Sequence, residues 1–441
     1  MTKKLFFLMA ATFGFAAAAS AGGLMTNTNY HIAFDRMMAR GASMEIDAAY
    51  SNPAGLAWGY DGFQMSLDFQ KPWQNRDITY NGVKYEGVAS APIVPALFAS
   101  YKKDRWAISS MIGIVGSGGF VKYDEGVPMF NVLLGGMLAN NGIQPSTYKL
   151  DSEMKGKQYI YGGQLNFTYK IIDCLSAAVG VRANYYDGYY RGHVKAKEHP
   201  AFGDLAALML DVDQKGWGFT PLVSVNYHQG PLTLTARYEF RTKVNPKNDT
   251  NVLDAGLGAN LMGYMLANDP NAQAKLAALQ QTLGAYTAPY QDGVRTRYDM
   301  PALLSVAAGY EFTPQLRATL EYHFFDDKNA KMANDRQDEL THGTHEILAG
   351  VEYDINDKFT VSCGGQRTDY GLSDGYQQNT SFACDSYSIG LGGAWNINEK
   401  VRLNAGYFIS LYSDYDKQAS YGQETYSRTN NVIGVGIDYK F

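Results

Sequence analysis

Tyr353-Asp354-Ile355-Asn356-Asp357-Lys358-Phe359 joins two runs of alternating apolar and polar residues, and it carries an aromatic on each side of a short polar turn. An aromatic leading into a short turn recurs at 169–175, 227–232, 310–316 and 395–401, and the final run, 432–441, ends on the aromatic Phe441. Alternation at period two turns one face of each run outward. Aromatics beside tight turns are what a closed sheet needs where lipid headgroups meet water. The pattern predicts an all-β fold, an antiparallel transmembrane β-barrel.

Working outward from this stretch, alternating runs occupy 63–79, 94–102, 106–123, 158–171, 175–194, 217–228, 232–244, 297–312, 316–325, 345–355, 359–370, 381–396, 401–415 and 429–441. These predict about fourteen strands, an even number as single-chain bacterial barrels require. One end has turns of two to four residues. The other has long connections at 124–157, 195–216, 245–296 and 326–344. Short turns belong on the periplasmic side and long loops outside the cell.

Composition agrees. Charged residues make up only 18% of the chain, against about a quarter in ordinary soluble domains. Tyr (33) and Gly (46) are abundant, as interfacial girdles and tight turns require. Mean hydropathy of -0.28 is no objection, because barrel strands meet lipid with every second residue only. Residues 1–21 read as a secretory leader: Lys3 and Lys4, an apolar stretch over 5–18, then Ala19-Ser20-Ala21 as a cleavage site. No later stretch suits a transmembrane helix. The expected organisation is a leader (1–21), an N-terminal hatch (22–60) and a barrel (61–441), placed in a Gram-negative outer membrane. The net charge of -5 argues against nucleic acid as a partner. No motif calls for a cofactor or metal: His342 and His345 would point to opposite faces of a strand, and no G-x-S-x-G elbow is present. Alternation also puts Cys363 outside and Cys384 inside, which argues against a disulfide between them.

Three features depart from the repeat. Residues 22–60 do not alternate and mix Asn27, Asp35, Arg36, Arg40, Glu45 and Asp47 with Ile32, Phe34, Met37 and Leu56, a composition suited to a plug in the lumen. The third run holds Gly113, Gly116, Gly118 and Gly119; glycines inside a strand mark a bulge or a close backbone approach. Three long connections are apolar. Val127 to Leu138 is one. Leu205, Leu208 and Met209 mark the second, and Leu261, Met262, Met265, Leu276, Leu279 and Leu283 the third, the last three at helical spacing. These are either helices capping one another or an apolar groove for a hydrophobic ligand. Alternation further turns Arg182, Arg237, Arg317 and His323 into the lumen, where arginine forks could hold a carboxylate.

The stretch 40–56, with Asn52-Pro53-Ala54-Gly55 at its core after Arg40-Gly41-Ala42, resembles the N-terminal signature of the FadL/TodX family of outer-membrane transporters for long-chain fatty acids and other hydrophobic compounds. The resemblance implies a fourteen-stranded barrel closed by a hatch, and helical content in the loops after strands five and seven. It also implies ligand captured at the outer loops and released sideways through the wall by passive diffusion. The kinked third strand would be the lateral gate. The long apolar loop after strand three departs from the pattern. Expected partners are a long-chain fatty acid or other hydrophobic ligand, outer-membrane lipid and lipopolysaccharide, and the barrel assembly machinery that reads the terminal Phe441; a monomer is expected. The competing readings are a passive general porin and a barrel-borne enzyme.

Overall fold

The computed structural model describes residues 22–441; the expected leader lies outside them. Fourteen staves close into one antiparallel barrel. The first five are β1 (Gly62–Tyr80), β2 (Val83–Tyr85, Gly87–Ser90 and Val94–Lys103), β3 (Trp106–Tyr123), β4 (Lys149–Ile172) and β5 (Leu175–Lys197). Then come β6 (Ala206–Gln229), β7 (Leu232–Glu239 with Lys247–Leu257), β8 (Leu303–Glu311), β9 (Leu316–Phe325) and β10 (Thr344–Asp354). The circle is completed by β11 (Phe359–Asp369), β12 (Ser386–Asn396), β13 (Val401–Tyr412 with Tyr415–Ala419) and β14 (Gly422–Lys440). The closing ladder runs from Gln64 opposite Lys440 to Tyr80 opposite Glu424.

Alternation decides which side chains meet lipid. On β1, Phe63, Leu67, Phe69 and Trp73 are exposed while Gln64, Ser66, Asp68 and Gln70 are buried. The outward apolar band continues round the barrel through Leu165 and Phe167, Val223 and Val225, Ile347 and Val351, and Ile433 to Ile437. Aromatics rim it on the short-turn side, where Phe63 packs on Phe441 at 5.0 Å and Phe359 stacks on Trp395. A hydrophobic outside around a polar inside is the pattern of a membrane barrel.

The long connections are shorter than the sequence suggests. At about 3.3 Å per residue, the 24 residues of β4 and of β6 carry the wall far above an apolar band of roughly 25 Å. The loop after β5, which the resemblance makes helical, is not: β6 begins at Ala206, so Leu208 and Met209 belong to wall. Helices appear elsewhere, as α1 (Pro128–Ala139) after β3, and α2 (Ala259–Asn268) with α3 (Ala272–Thr287) after β7.

Residues 22–60 fold inside the barrel. A single-turn helix, Ile32–Met37, lies against β10 to β14, where Gly350, Gly364, Gly390, Gly392, Gly406 and Gly434 face it. A methyl at any of these would run into the segment between Ile32 and Met37. The inner wall is therefore carved to the shape of the segment. Cys363 is exposed and Cys384 buried, both as free thiols.

Candidate functional site

Four sets of residues, stacked from the short-turn side to the loops, make up the interior. Lowest is an ion-pair cluster that ties the N-terminal segment to the wall. Glu352 of β10 accepts from Arg36 at 2.8 Å, Arg40 at 2.7 Å and Arg317 at 3.1 Å. Arg40 also reaches Asp47 and Glu45, each at 2.7 Å, and Arg402 reaches Glu45. Below this cluster opens a polar vestibule of about 590 Å³, lined by Arg40, Glu45, Arg317, Glu352, Asp354 and Arg402.

The Asn52-Pro53-Ala54-Gly55 motif docks on β4 to β6. The Asn52 carboxamide accepts from Gly55 N at 3.2 Å and donates to Asn226 at 2.7 Å. The carbonyl of Pro53 accepts from Thr168 at 2.7 Å and that of Ala54 from Ser176 at 2.6 Å. A side chain at position 55 would collide with Asn52 and the Ser43 carbonyl, so glycine is required for close packing. The motif is a turn whose backbone carbonyls are presented to hydroxyls of the wall.

The third set is a break in the wall. Between β2 and β3 the ladder runs from Leu97 opposite Ile112 to Lys103 opposite Trp106, and again from Gly87 opposite Tyr123 to Ser90 opposite Phe120. Across 91–96 and 113–119 no cross-strand pair joins the two strands among the described residues. Pro92 and Pro95 offer no N–H there. On the other side of β3, the register against β4 slips between Ile114 and Gly116 and again between Ser117 and Gly119. Two bulges within five residues bend the strand away from β2. Thus Gly113, Gly116, Gly118 and Gly119 all lie along the unpaired stretch. The freed carbonyls are partly claimed from within: Asn27 donates its backbone N–H to Val115 O at 3.1 Å and its amide to Ile114 O at 3.2 Å, and Tyr30 donates to Val115 O. Inside the break the surface is apolar, formed by Met25, Ala96, Phe98, Met111, Val115 and Ile160.

Topmost is the mouth. Leu205, Leu261 and Met265 are buried in one apolar cluster with Leu208 and Leu276 packed against it, and Leu283 is buried as well. Met209, Met262 and Leu279 are half-buried. An apolar crevice between α1, β4 to β7 and the end of α3 is lined by Met129, Phe130, Leu133, Leu208, Leu210 and Tyr290. Its free volume of about 20 Å³ is room for one water, so the mouth is closed in this state. Of the nine apolar loop residues singled out in the sequence, Leu208 alone lines this crevice. The helix after β3, the feature that departs from the resemblance, supplies three of its walls.

The inward cations expected to hold a carboxylate are each engaged already. Buried Arg182 pairs with Glu239 and donates to Gln164 at 3.2 Å; Arg237 reaches the same Glu239 at 2.6 Å. Arg317 pairs with Asp354 at 2.7 Å, and His323 sits between Glu321 at 2.6 Å and Glu346 at 2.9 Å. Tyr186 stacks on Tyr298 above Arg182, so that face continues toward the loops as the alternation predicts.

In the loop after β9, Asp327 is fully buried and accepts from the hydroxyl and backbone N–H of Thr344. Burial pushes its carboxyl up to about 7, against the pull of these donors and of the Leu24 N–H. Because the folded value is raised, its stabilising contribution is complete below the unfolded carboxylate range near pH 4 and is lost as pH rises through 7. The melting temperature in detergent is expected to fall between pH 5 and pH 8, and Asp327→Asn is expected to flatten that dependence. An Asp327→Asn profile as steep as the parent's would contradict it.

Comparison with known proteins agrees with this architecture. The chain superposes on a crystal structure of a Pseudomonas aeruginosa FadL homologue with a TM-score of 0.68 and 14% identity, over 95% of this chain and 100% of that one. It superposes on the P. putida toluene transporter TodX with a TM-score of 0.57 and 14% identity, over 90% and 94%. For the Ralstonia pickettii toluene transporter TbuX the values are 0.55 and 14%, over 97% and 99%. Residues 280–441 match the family described as OmpA-like transmembrane domain. No curated protein matches the chain in sequence.

Proposed function

We propose that this chain, an outer-membrane β-barrel of the FadL/TodX-type fold, is a passive importer of hydrophobic small molecules. The N-terminal segment acts as the hatch. Ligand enters among the apolar residues of the mouth and leaves sideways through the break between β2 and β3. The observation that carries the reading is that break, an unpaired stretch of wall with apolar residues on its inner side and lipid on its outer side. The named relatives, a FadL homologue and two toluene transporters, support it.

The physics favours such a route. Carrying some fifteen methylenes through water costs on the order of 12 kcal/mol, at about 0.8 kcal/mol each. A water-filled pore gives no relief, whereas a series of apolar contacts ending in bilayer does. The closed mouth fits a ligand that displaces methionine and leucine side chains as it enters, for which thioether side chains are well suited.

Purified protein in liposomes is expected to accelerate entry of a hydrophobic fluorophore while leaving the vesicles tight to glucose. Free passage of glucose with no effect on the hydrophobic probe would make the protein a porin and end the proposal.

A further inference from the structure

Gly22 lies inside the barrel, buried, and its backbone nitrogen donates to Oε1 of Glu346 on β10 at 3.0 Å. The Tyr370 hydroxyl donates to the Gly22 carbonyl at 3.5 Å, and the Leu24 N–H donates to Asp327. The backbone here is shaped for glycine. Gly22 has φ of +126°, and a Cβ on it would strike the Thr26 carbonyl; a Cβ on Gly23 would run into the Phe325 ring.

Glu346 is wholly buried and short of positive charge. Its other donors are the Thr368 hydroxyl at 3.0 Å, the Gln366 amide and Nδ1 of His323 at 2.9 Å. The second nitrogen of His323 lies 2.6 Å from Glu321, which is buried too. One imidazolium thus serves two carboxylates, and among the described residues no lysine or arginine lies within 4 Å of either. Glu352, by contrast, has three arginines and Glu239 has two. A buried carboxylate without a counter-charge is strongly unfavourable, so the cluster lacks one cation.

We propose that this cation is the α-ammonium of Gly22, created when the leader is removed, and that Glu346 is the site built to bind it. A leader peptidase adds water across the Ala21–Gly22 bond. The carboxylate formed on Ala21 departs with the leader, and the amine left on Gly22 carries the proton. Before cleavage the same nitrogen is an amide with one N–H and no charge. Afterwards it balances the second carboxylate, and the pair pins the stretch that covers the break from within. Met25 shares an apolar cluster with Val115, and the Asn27 N–H holds the Val115 carbonyl. Processing would thereby fasten the inner cover of the wall. This inference rests on the leader reading and is independent of what the barrel carries.

The test starts from protein exported to the outer membrane, whose mass is expected to be that of a chain beginning at Gly22. The folded chain in non-ionic detergent is then acetylated at pH 7, where an unpaired α-amine, with a pKa of about 8, reacts ahead of lysine. Mass spectrometry of the N-terminal peptide is expected to show labelling roughly tenfold slower in the folded parent than after heating in SDS. Glu346→Gln, folded as judged by its migration without heating, is expected to lose most of that protection, and Glu346→Asp to keep part of it. A serine inserted between Ala21 and Gly22 moves the amine one residue away from Glu346 and leaves every wall residue in place. It too is expected to label quickly, and it decides the question if Glu346→Gln does not fold. A mature chain that begins elsewhere would remove the leader reading and the ion pair together. A chain that begins at Gly22 but labels as fast folded as unfolded, or stays protected in Glu346→Gln or in the serine insertion, would overturn the ion pair alone.

Discussion

Glu352→Gln is expected to unlock the N-terminal segment and to raise the ion conductance of the barrel in planar bilayers. Three guanidinium groups converge on this one carboxylate, two of them from the segment and one from β9. Arg36 is wholly buried and Arg40 nearly so. Removing one partner from a buried ion pair costs about 3–5 kcal/mol, because the charge left behind must be rehydrated or moved. The amide keeps the shape and a hydrogen-bond acceptor but not the charge. The least costly relief is for Arg36 and Arg40 to swing toward the polar vestibule below, taking the segment 36–47 with them. Bilayer recordings are therefore expected to show larger and noisier currents than the parent, approaching those of a chain lacking 22–55. Parent-like conductance and an unaltered melting temperature would show that the segment is held by its glycine-lined seat and not by charge.

The seat and the charge cluster were unequally legible in the sequence. Alternation gave the strands because a wall wet on one side and greasy on the other cannot be built any other way. It also turned Arg182, Arg237, Arg317 and His323 inward correctly. It likewise puts Glu239 beside Arg237 and Glu321 beside His323, two residues apart on one strand. It could not say that Glu239 also reaches Arg182, or that Glu346, Glu352 and Asp354 meet His323 and Arg317, since those pairs depend on the register between strands. The seat was readable in part: Gly350, Gly364, Gly390, Gly406 and Gly434 all fall on inward positions of neighbouring strands, a signal visible only once those strands are laid side by side. At the mouth, Leu208 and Met209 fall in a stretch whose pattern predicts loop, but β5 and β6 continue past the membrane and absorb it. The helix after β3 shows no clear helical period in the sequence, because the Gly135-Gly136 pair interrupts its apolar run.

The break between β2 and β3 allows a sharper test than the sequence offered. Bulk at Gly116 is a poor choice: a Cβ there would overlap the Met25 carbonyl and press on Ile160, so a valine would dislodge the N-terminal segment as well as narrow the wall. Gly113 is free of that defect. Its Cβ would lie 3.6 Å from Ala96 Cβ and from Met111 Sδ, ordinary contact distances, and the unpaired stretch lies beside it. Gly113→Phe is expected to fill the break from within. Hydrophobic-probe uptake into liposomes should fall by about tenfold, the effect of adding roughly 1.4 kcal/mol to the exit barrier. Equilibrium binding of the same probe in detergent should stay within about twofold of the parent, because the mouth is untouched. A parallel loss of binding would place the ligand's resting site at the break, and undiminished uptake would mean that ligand leaves the barrel by another path. Gly113→Ala adds one methyl where space exists and should transport like the parent, so an effect of phenylalanine is read as blockage and not as loss of a glycine.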